Sequence, residues 1–513
     1  MVPIWFPVVL APLLLLIRLA RTRGPLPPGP PRKPIIGNLF DVPLGNPFAA
    51  FEAWRKRYGD VVYLRILGNS IVVLNSMNAI GDLFERRAWN YSHRPTFIMV
   101  GELMGLDRSI GLNNRDKVWR QQRKLASIAL SPQGIKQYMP LQERLAAILL
   151  SELEEHPEKF ASLCELTAAR LILEITYGIS VENMDHPFVA EAEEIFELVR
   201  KSLQPGAYLV DFFPWLKHVP KWVPFSSQSS AARARAQIES FVSRPFDYVK
   251  EKMEEGNTKP SLVATLLSNR SDVEGLDFEE VVKWTAGTMY DAGEESTAVT
   301  LKSFILAMAL HPEVQTKAQK ELDLLLNRTR LPTVEDRASL SYVNACIKET
   351  LRWHVALPLG IARRADKDDI YNGYLIPKGS IILPNARGIA GEGDYFRFEP
   401  ETHLDEAASE IPDPLSYAFG FSRRACPGRL LAENSLFIFI ASILAVFNIS
   451  PDLDAAGKEI PIHPKFQLGL ISHPEPFKCK ILVRSPATKT LLANQLLGGS
   501  NIEKDSSCGL TRD

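Results

Sequence analysis

The spacing of apolar and polar residues changes character several times along the chain. From Val2 to Ile17 every residue is apolar or proline, and Arg18, Arg21 and Arg23 follow at once. Such a run, extended to residue 20, predicts a membrane anchor over residues 2–20, since a spanning helix needs roughly 20 apolar residues. Positive charge after the run rather than before it predicts a retained anchor with the following body in the cytosol. Residues 24–34 open with Gly24-Pro25-Leu26-Pro27-Pro28-Gly29-Pro30-Pro31, a stiff non-helical hinge. Alternation then predicts strands over 61–66 and 70–74. From Arg115 to Ala309 the apolar spacing is mainly helical, clearest over 141–153, 163–177 and 281–310. A further helix is predicted over 343–353, with extended segments over 370–383 and 466–483. The pattern predicts a mainly α fold with small β-sheets (α+β), one large body over 35–486, and a fraying tail over 487–513.

Composition narrows the function. The chain has 513 residues, 46% of them hydrophobic, and a formal net charge of −1, which gives no electrostatic reason to expect nucleic acid. Its cysteines, Cys164, Cys346, Cys426, Cys479 and Cys508, are scattered and form no CxxC pair, so neither a disulfide framework nor a structural zinc site is indicated. There is no HExxH, GxSxG or GxxxxGK[ST] pattern to suggest a hydrolase or a phosphate binder.

Four segments carry candidate chemistry. In Phe419-Gly420-Phe421-Ser422-Arg423-Arg424-Ala425-Cys426-Pro427-Gly428, one cysteine lies between turn formers and precedes an apolar helical stretch, 430–444. A lone cysteine is ordinarily a core residue. Here a helix amino terminus and Arg424 predict a lowered thiol pKa and a ligand role. Glu349-Thr350-Leu351-Arg352 sets an acid and a base three apart on one helical face, a spacing that also makes common surface ion pairs. Ala292-Gly293-Glu294-Glu295-Ser296-Thr297 places glycine, acids and hydroxyls inside an otherwise apolar helix. That is either a solvated polar patch or a place where a small ligand meets the helix. Trp119 and Arg123 stand four apart, so an indole and a guanidinium share a helical face.

In this order and spacing the segments resemble the cytochrome P-450 family. The first resembles its cysteine-ligand loop, Phe-x-x-Gly-x-Arg-x-Cys-x-Gly, through Phe419, Arg424, Cys426 and Gly428, with Ser422 at the inner glycine. The resemblance implies a haem-thiolate monooxygenase in which Cys426 binds the iron of a haem b cofactor. It implies that Glu295, Ser296 and Thr297 form the oxygen-activating stretch, that Trp119, Arg123, Arg424 and, more loosely, Arg363 hold the haem propionates, and that Glu349 and Arg352 lock the core. The family's third member of that lock is an arginine where this chain has Thr402, and His403 is the candidate substitute. Implied partners are a hydrophobic small molecule and O2, an NADPH–cytochrome P-450 reductase docking near Arg120, Lys124, Arg423 and Arg429, and membrane lipid. The implied setting is the endoplasmic reticulum membrane, single-pass, with a role in fungal secondary-metabolite, for example terpenoid, biosynthesis. Competing readings are a haem-thiolate isomerase or lyase, which tends to lack the acid–alcohol pair, and a non-catalytic lipid-binding membrane protein, which would not need Cys426.

Overall fold

The computed structural model describes residues 24–492 apart from 44–46, 115, 205, 224–225, 271, 392–397, 405–411, 468 and 487. The anchor expected over 2–20 and most of the expected tail lie outside these residues. Residues 488–492 are helical and Leu492 is buried.

By its internal contacts the chain divides into two compact units. One comprises residues up to Pro95 together with Leu359–Ile389, and the other Thr96–Pro358 with the chain from Ala390 onward. Two distant stretches meet in the first unit because their strands complete one sheet. The strands β1 (Val61–Ile66) and β2 (Asn69–Leu74) form a hairpin closed by Leu67 and Gly68, both at positive φ, as a two-residue hairpin turn requires. From the second stretch come β3 (Arg363–Arg364), β4 (Asp369–Tyr371), β5 (Tyr374–Ile376) and β6 (Ile381–Pro384). The main sheet has the order β1-β2-β6-β3, with β6 parallel to β2 and antiparallel to β3, while β4 and β5 pair separately. The proline-rich segment is not a free-standing spacer: the carbonyls of Pro25 and Pro28 accept from Leu375 and Tyr63 at 2.7 and 2.8 Å. Gly29 permits this, because a Cβ there would meet the Tyr63 carbonyl oxygen at 2.0 Å.

Helices dominate the second unit. Phe278–Leu310 is its axis, packed against the helices Asp116–Leu130, Phe160–Tyr177, Ser227–Glu254 and Arg429–Val446. Asp277 starts it by accepting from the backbone N–H groups of Glu279 and Glu280, which moves the start three residues ahead of the predicted Val281. Arg429–Val446 is apolar on all sides and long enough to cross a membrane. It lies in the core instead, with Phe437, Phe439 and Leu444 fully buried. Each such side chain removed from water stabilises the fold by roughly 1.5–3 kcal/mol before entropy is counted. The helices Pro187–Ser202, Ser227–Glu254 and Pro312–Leu326 complete the layer. Small antiparallel pairs close the unit: β7 (Phe447–Pro451) with the later β10 (Cys479–Val483), and β8 (Phe466–Gln467) with β9 (His473–Pro474).

Candidate functional site

Cys426 sits at the end of the loop that leads into the Arg429–Val446 helix. The loop folds back on itself: the Cys426 N–H donates to the Phe419 carbonyl at 2.7 Å, Gly420 adopts a φ of +72°, and Ser422 a φ of +51°. The last is the position where the related family loop has glycine, so the serine carries backbone strain of roughly 1 kcal/mol. Gly428 donates its backbone N–H to the Cys426 sulfur, and a Cβ at Gly428 would stand 3.9 Å from that sulfur. Phe421 is buried behind the loop and Phe419 half-buried.

Two arginines meet at one indole. The guanidiniums of Arg424 and Arg123 lie 4.4 and 5.8 Å from the Trp119 ring centroid. Arg123 also donates to the Ala425 carbonyl at 2.7 Å, one residue from the cysteine. Arg424 donates to the carbonyls of Asn113 and Ile110 at 3.0 and 3.5 Å. The Ile110 N–H in turn donates to Thr288 Oγ1 at 3.2 Å, tying the segment to the Phe278–Leu310 helix. Trp119, Arg123, Phe419, Arg424, Cys426 and Gly428 are thereby brought together. Arg363 lies in β3 of the strand unit, with its guanidinium 3.9 Å from the Phe84 ring centroid.

The thiol does not behave as the loop alone predicts. Burial pushes the Cys426 pKa up, and the Gly428 N–H and Arg123 offset this only in part. The cation that acts on the sulfur is Arg123 rather than Arg424, and desolvation outweighs it. Yet Cys426 has a large accessible surface. A thiol set deep among protein atoms in a residue that keeps accessible surface is one that faces an internal space. Arg123 is itself desolvated, and among the described residues no carboxylate pairs with it. An accessible soft sulfur that requires a cation to ionise, beside a half-buried guanidinium lacking an acidic partner among the described residues, fits an iron centre carrying anionic substituents. The donor set suits the haem that the sequence implies.

The acid and hydroxyls sit midway along the Phe278–Leu310 helix. Gly293 is needed for packing, since a Cβ there would stand 2.9 Å from Ile172 Cδ1. Ser296 and Thr297 return their hydroxyls to the carbonyls of Ala292 and Gly293, each at 2.8 Å. Glu295 accepts from His473 Nε2 at 2.6 Å and has Arg200 Nε at 3.6 Å. These two partners lie far from Glu295 in sequence and belong to no motif around it, so nothing local announces them. Ala292 is exposed in the middle of an otherwise buried helix, so this stretch too borders open space.

Glu349 and Arg352 are buried together. Arg352 donates from Nε and Nη2 to Glu349 at 2.8 and 2.7 Å, and from Nη1 to the Ala390 carbonyl at 3.0 Å. The Glu399 N–H and His403 Nε2 complete the carboxylate at 2.9 and 2.8 Å. Thr402 turns its hydroxyl to the Glu399 carbonyl and takes no part in this contact. Burial raises the Glu349 pKa, but the bonds from Arg352 and His403 more than offset it, and the carboxyl is held below its ordinary value.

Comparison with known proteins returns the same family. The family model described as cytochrome P-450 matches residues 27–481. Monooxygenase claR of Ampulloclitocybe clavipes is 36% identical over 94% of this chain and 90% of its own length. Monooxygenase COX2 of Coprinopsis cinerea is 37% identical over 92% of each chain. A monooxygenase of Armillaria gallica is 37% identical over 94% of this chain and 98% of its own. All three carry the name cytochrome P-450 monooxygenase.

Proposed function

The chain belongs to the cytochrome P-450 family and is a haem-dependent monooxygenase of that class, acting on a small molecule with O2 and a redox partner, and from this premise we propose that Cys426 is the thiolate of its haem site and that its substrate is a largely apolar metabolite. The observation that carries the proposal is the accessible Cys426 sulfur, approached by the Gly428 N–H and by Arg123 at the head of a buried apolar helix. When bound, the haem supplies the oxygen-activating redox chemistry.

The rest falls to the protein. Arg123, Arg424 and Trp119 are the groups for the anionic edge of the cofactor, and Arg363 is a further candidate. Glu295 and Ser296 relay the protons that the reaction consumes: Glu295 is oriented by His473 and Arg200, and Ser296 Oγ can leave the Ala292 carbonyl to donate. Thr297, buried against Gly293, supports that turn. Glu349, Arg352 and His403 fix the core between the Ser341–Trp353 helix and the Glu399–His403 segment. Exposed Arg120, Lys124, Arg423 and Arg429 form a basic surface suited to an NADPH–cytochrome P-450 reductase. Exposed Leu209, Trp215 and Trp222 add apolar surface suited to lipid, in keeping with an enzyme held at the endoplasmic reticulum membrane by residues 2–20. Secondary-metabolite oxidation, of a terpenoid for example, is the role we propose, as the sequence resemblance implies.

The test is turnover under 18O2 with a reductase and a panel of terpene and polyketide skeletons. Products carrying one labelled oxygen support the proposal. Oxidation confined to polar, water-soluble compounds would overturn the substrate class.

A further inference from the structure

Of the acids on the Phe278–Leu310 helix that the scheme above does not use, Glu279 and Glu280 are paired with Lys250 and Lys283 and Glu294 is buried, while Asp291 keeps accessible surface. Asp291 precedes the Ala292–Thr297 segment and lies one turn from Glu295 on the same face. Glu295 is compensated by His473 at 2.6 Å and Arg200 at 3.6 Å. Asp291 has no such partner: among the described residues no hydrogen bond or ion pair reaches it. It nevertheless keeps accessible surface beside exposed Ala292, in a helix whose residues on either side are mostly buried. An unpaired carboxyl in such a place is costly. Among the described residues Glu294 is likewise without a partner, but it is buried, so Asp291 is the open carboxyl of this stretch that keeps surface to offer a ligand.

We infer that Asp291 is a specificity-determining residue that bonds a hydroxyl group on an otherwise apolar substrate. The inference rests on the proposed apolar substrate, takes the open space beside Ala292 as the place where it lies, and adds one polar contact to that apolar site. Burial, with a smaller contribution from the charge of Glu295, raises the Asp291 pKa to about 7. Near neutral pH the carboxyl is therefore present in both forms. A hydroxyl can bond to either, donating to the carboxylate or accepting from the acid. An ammonium group would have to shed its water as well, which costs far more than desolvating a hydroxyl, and it would stand near Arg200. A hydroxyl is the better match. The reaction that supplies this substrate must then have left a hydroxyl on the skeleton.

The test uses the haem-loaded enzyme and three probes: decalin, decahydro-2-naphthol and the corresponding trimethylammonium compound, which cannot ligate iron through its nitrogen. Dissociation constants are measured by equilibrium dialysis for the parent, Asp291→Leu and Asp291→Asn. The parent should prefer the alcohol to the hydrocarbon by about tenfold, the worth of one hydrogen bond to a carboxyl. Asp291→Leu should abolish that preference without weakening decalin binding, and Asp291→Asn should keep part of it. An alcohol preference that survives in Asp291→Leu overturns the inference. So does a preference for the ammonium probe that Asp291→Leu removes, which would assign the carboxyl to cations. If none of the three binds while the carbon monoxide spectrum of the parent is intact, the apolar-site reading fails, and this inference with it.

Discussion

Replacing His403 by alanine probes a place where this chain meets a family feature with a different residue. Glu349 is fully buried and accepts four hydrogen bonds, two from Arg352, one from the Glu399 N–H and one from His403. His403→Ala leaves Oε2 with Arg352 Nε alone, in a site closed to water. A lost hydrogen bond to a buried charged group is worth about 1.5–3 kcal/mol, less than the roughly 3–5 kcal/mol expected for Arg352→Ala, which strands the carboxylate. In a chain this long that stability loss moves the thermal midpoint by only a few degrees, so acid unfolding is the sharper assay. The Glu349 pKa in the folded protein lies below its ordinary 4.5. A carboxyl held down in this way stabilises the fold above its unfolded pKa, and the contribution is lost as pH falls through the folded value. His403→Ala removes part of the depression, so acid unfolding should begin at a higher pH, with less haem retained per protein. His403→Gln, which can still donate, should recover part of the difference. If acid midpoint, haem content and thermal midpoint are all unchanged in His403→Ala, the three-member lock is refuted.

Other outcomes follow from the same contacts. Gly293→Ala should cost about 1–3 kcal/mol because its Cβ would stand 2.9 and 3.0 Å from Ile172 Cδ1 and Cγ1; Ile172→Val, which removes only Cδ1, should recover part of that in the double variant, as read by chemical denaturation. Ser296→Thr should lower peroxide released per NADPH consumed, since the β-branched side chain has a more restricted rotamer; an unchanged peroxide yield would contradict this. Changing Arg120, Lys124 and Arg423 together to glutamine should slow stopped-flow reduction by the reductase severalfold at low ionic strength and much less at high salt.

Elements with strong periodicity were legible in the sequence. The strands over 61–66 and 70–74 match β1 and β2 to within a residue, and the axial helix differs only where Asp277 caps it three residues early. Less legible was Ser227–Glu254, where frequent serine and arginine dilute the apolar stripe and Pro245 interrupts it. At the site, local motifs named Cys426, Glu295, Ser296 and the Glu349–Arg352 pair, because each lies within a few residues of its own signature. The side chains that orient them come from far away: His473 and Arg200 for Glu295, and the Asn113 and Ile110 carbonyls for Arg424. Only the fold brings those together. The thiol pKa ran against expectation for a similar reason, since helix terminus and neighbouring arginine can be read along the chain but desolvation cannot.

The central claim is that Cys426 supplies the thiolate of a haem site, and the carbon monoxide difference spectrum of the reduced protein tests it most directly. The parent should show the strongly red-shifted Soret band of thiolate-ligated haem, and Cys426→Ala should lack it while retaining its helical circular dichroism. A red-shifted band that persists in the folded variant would contradict the account.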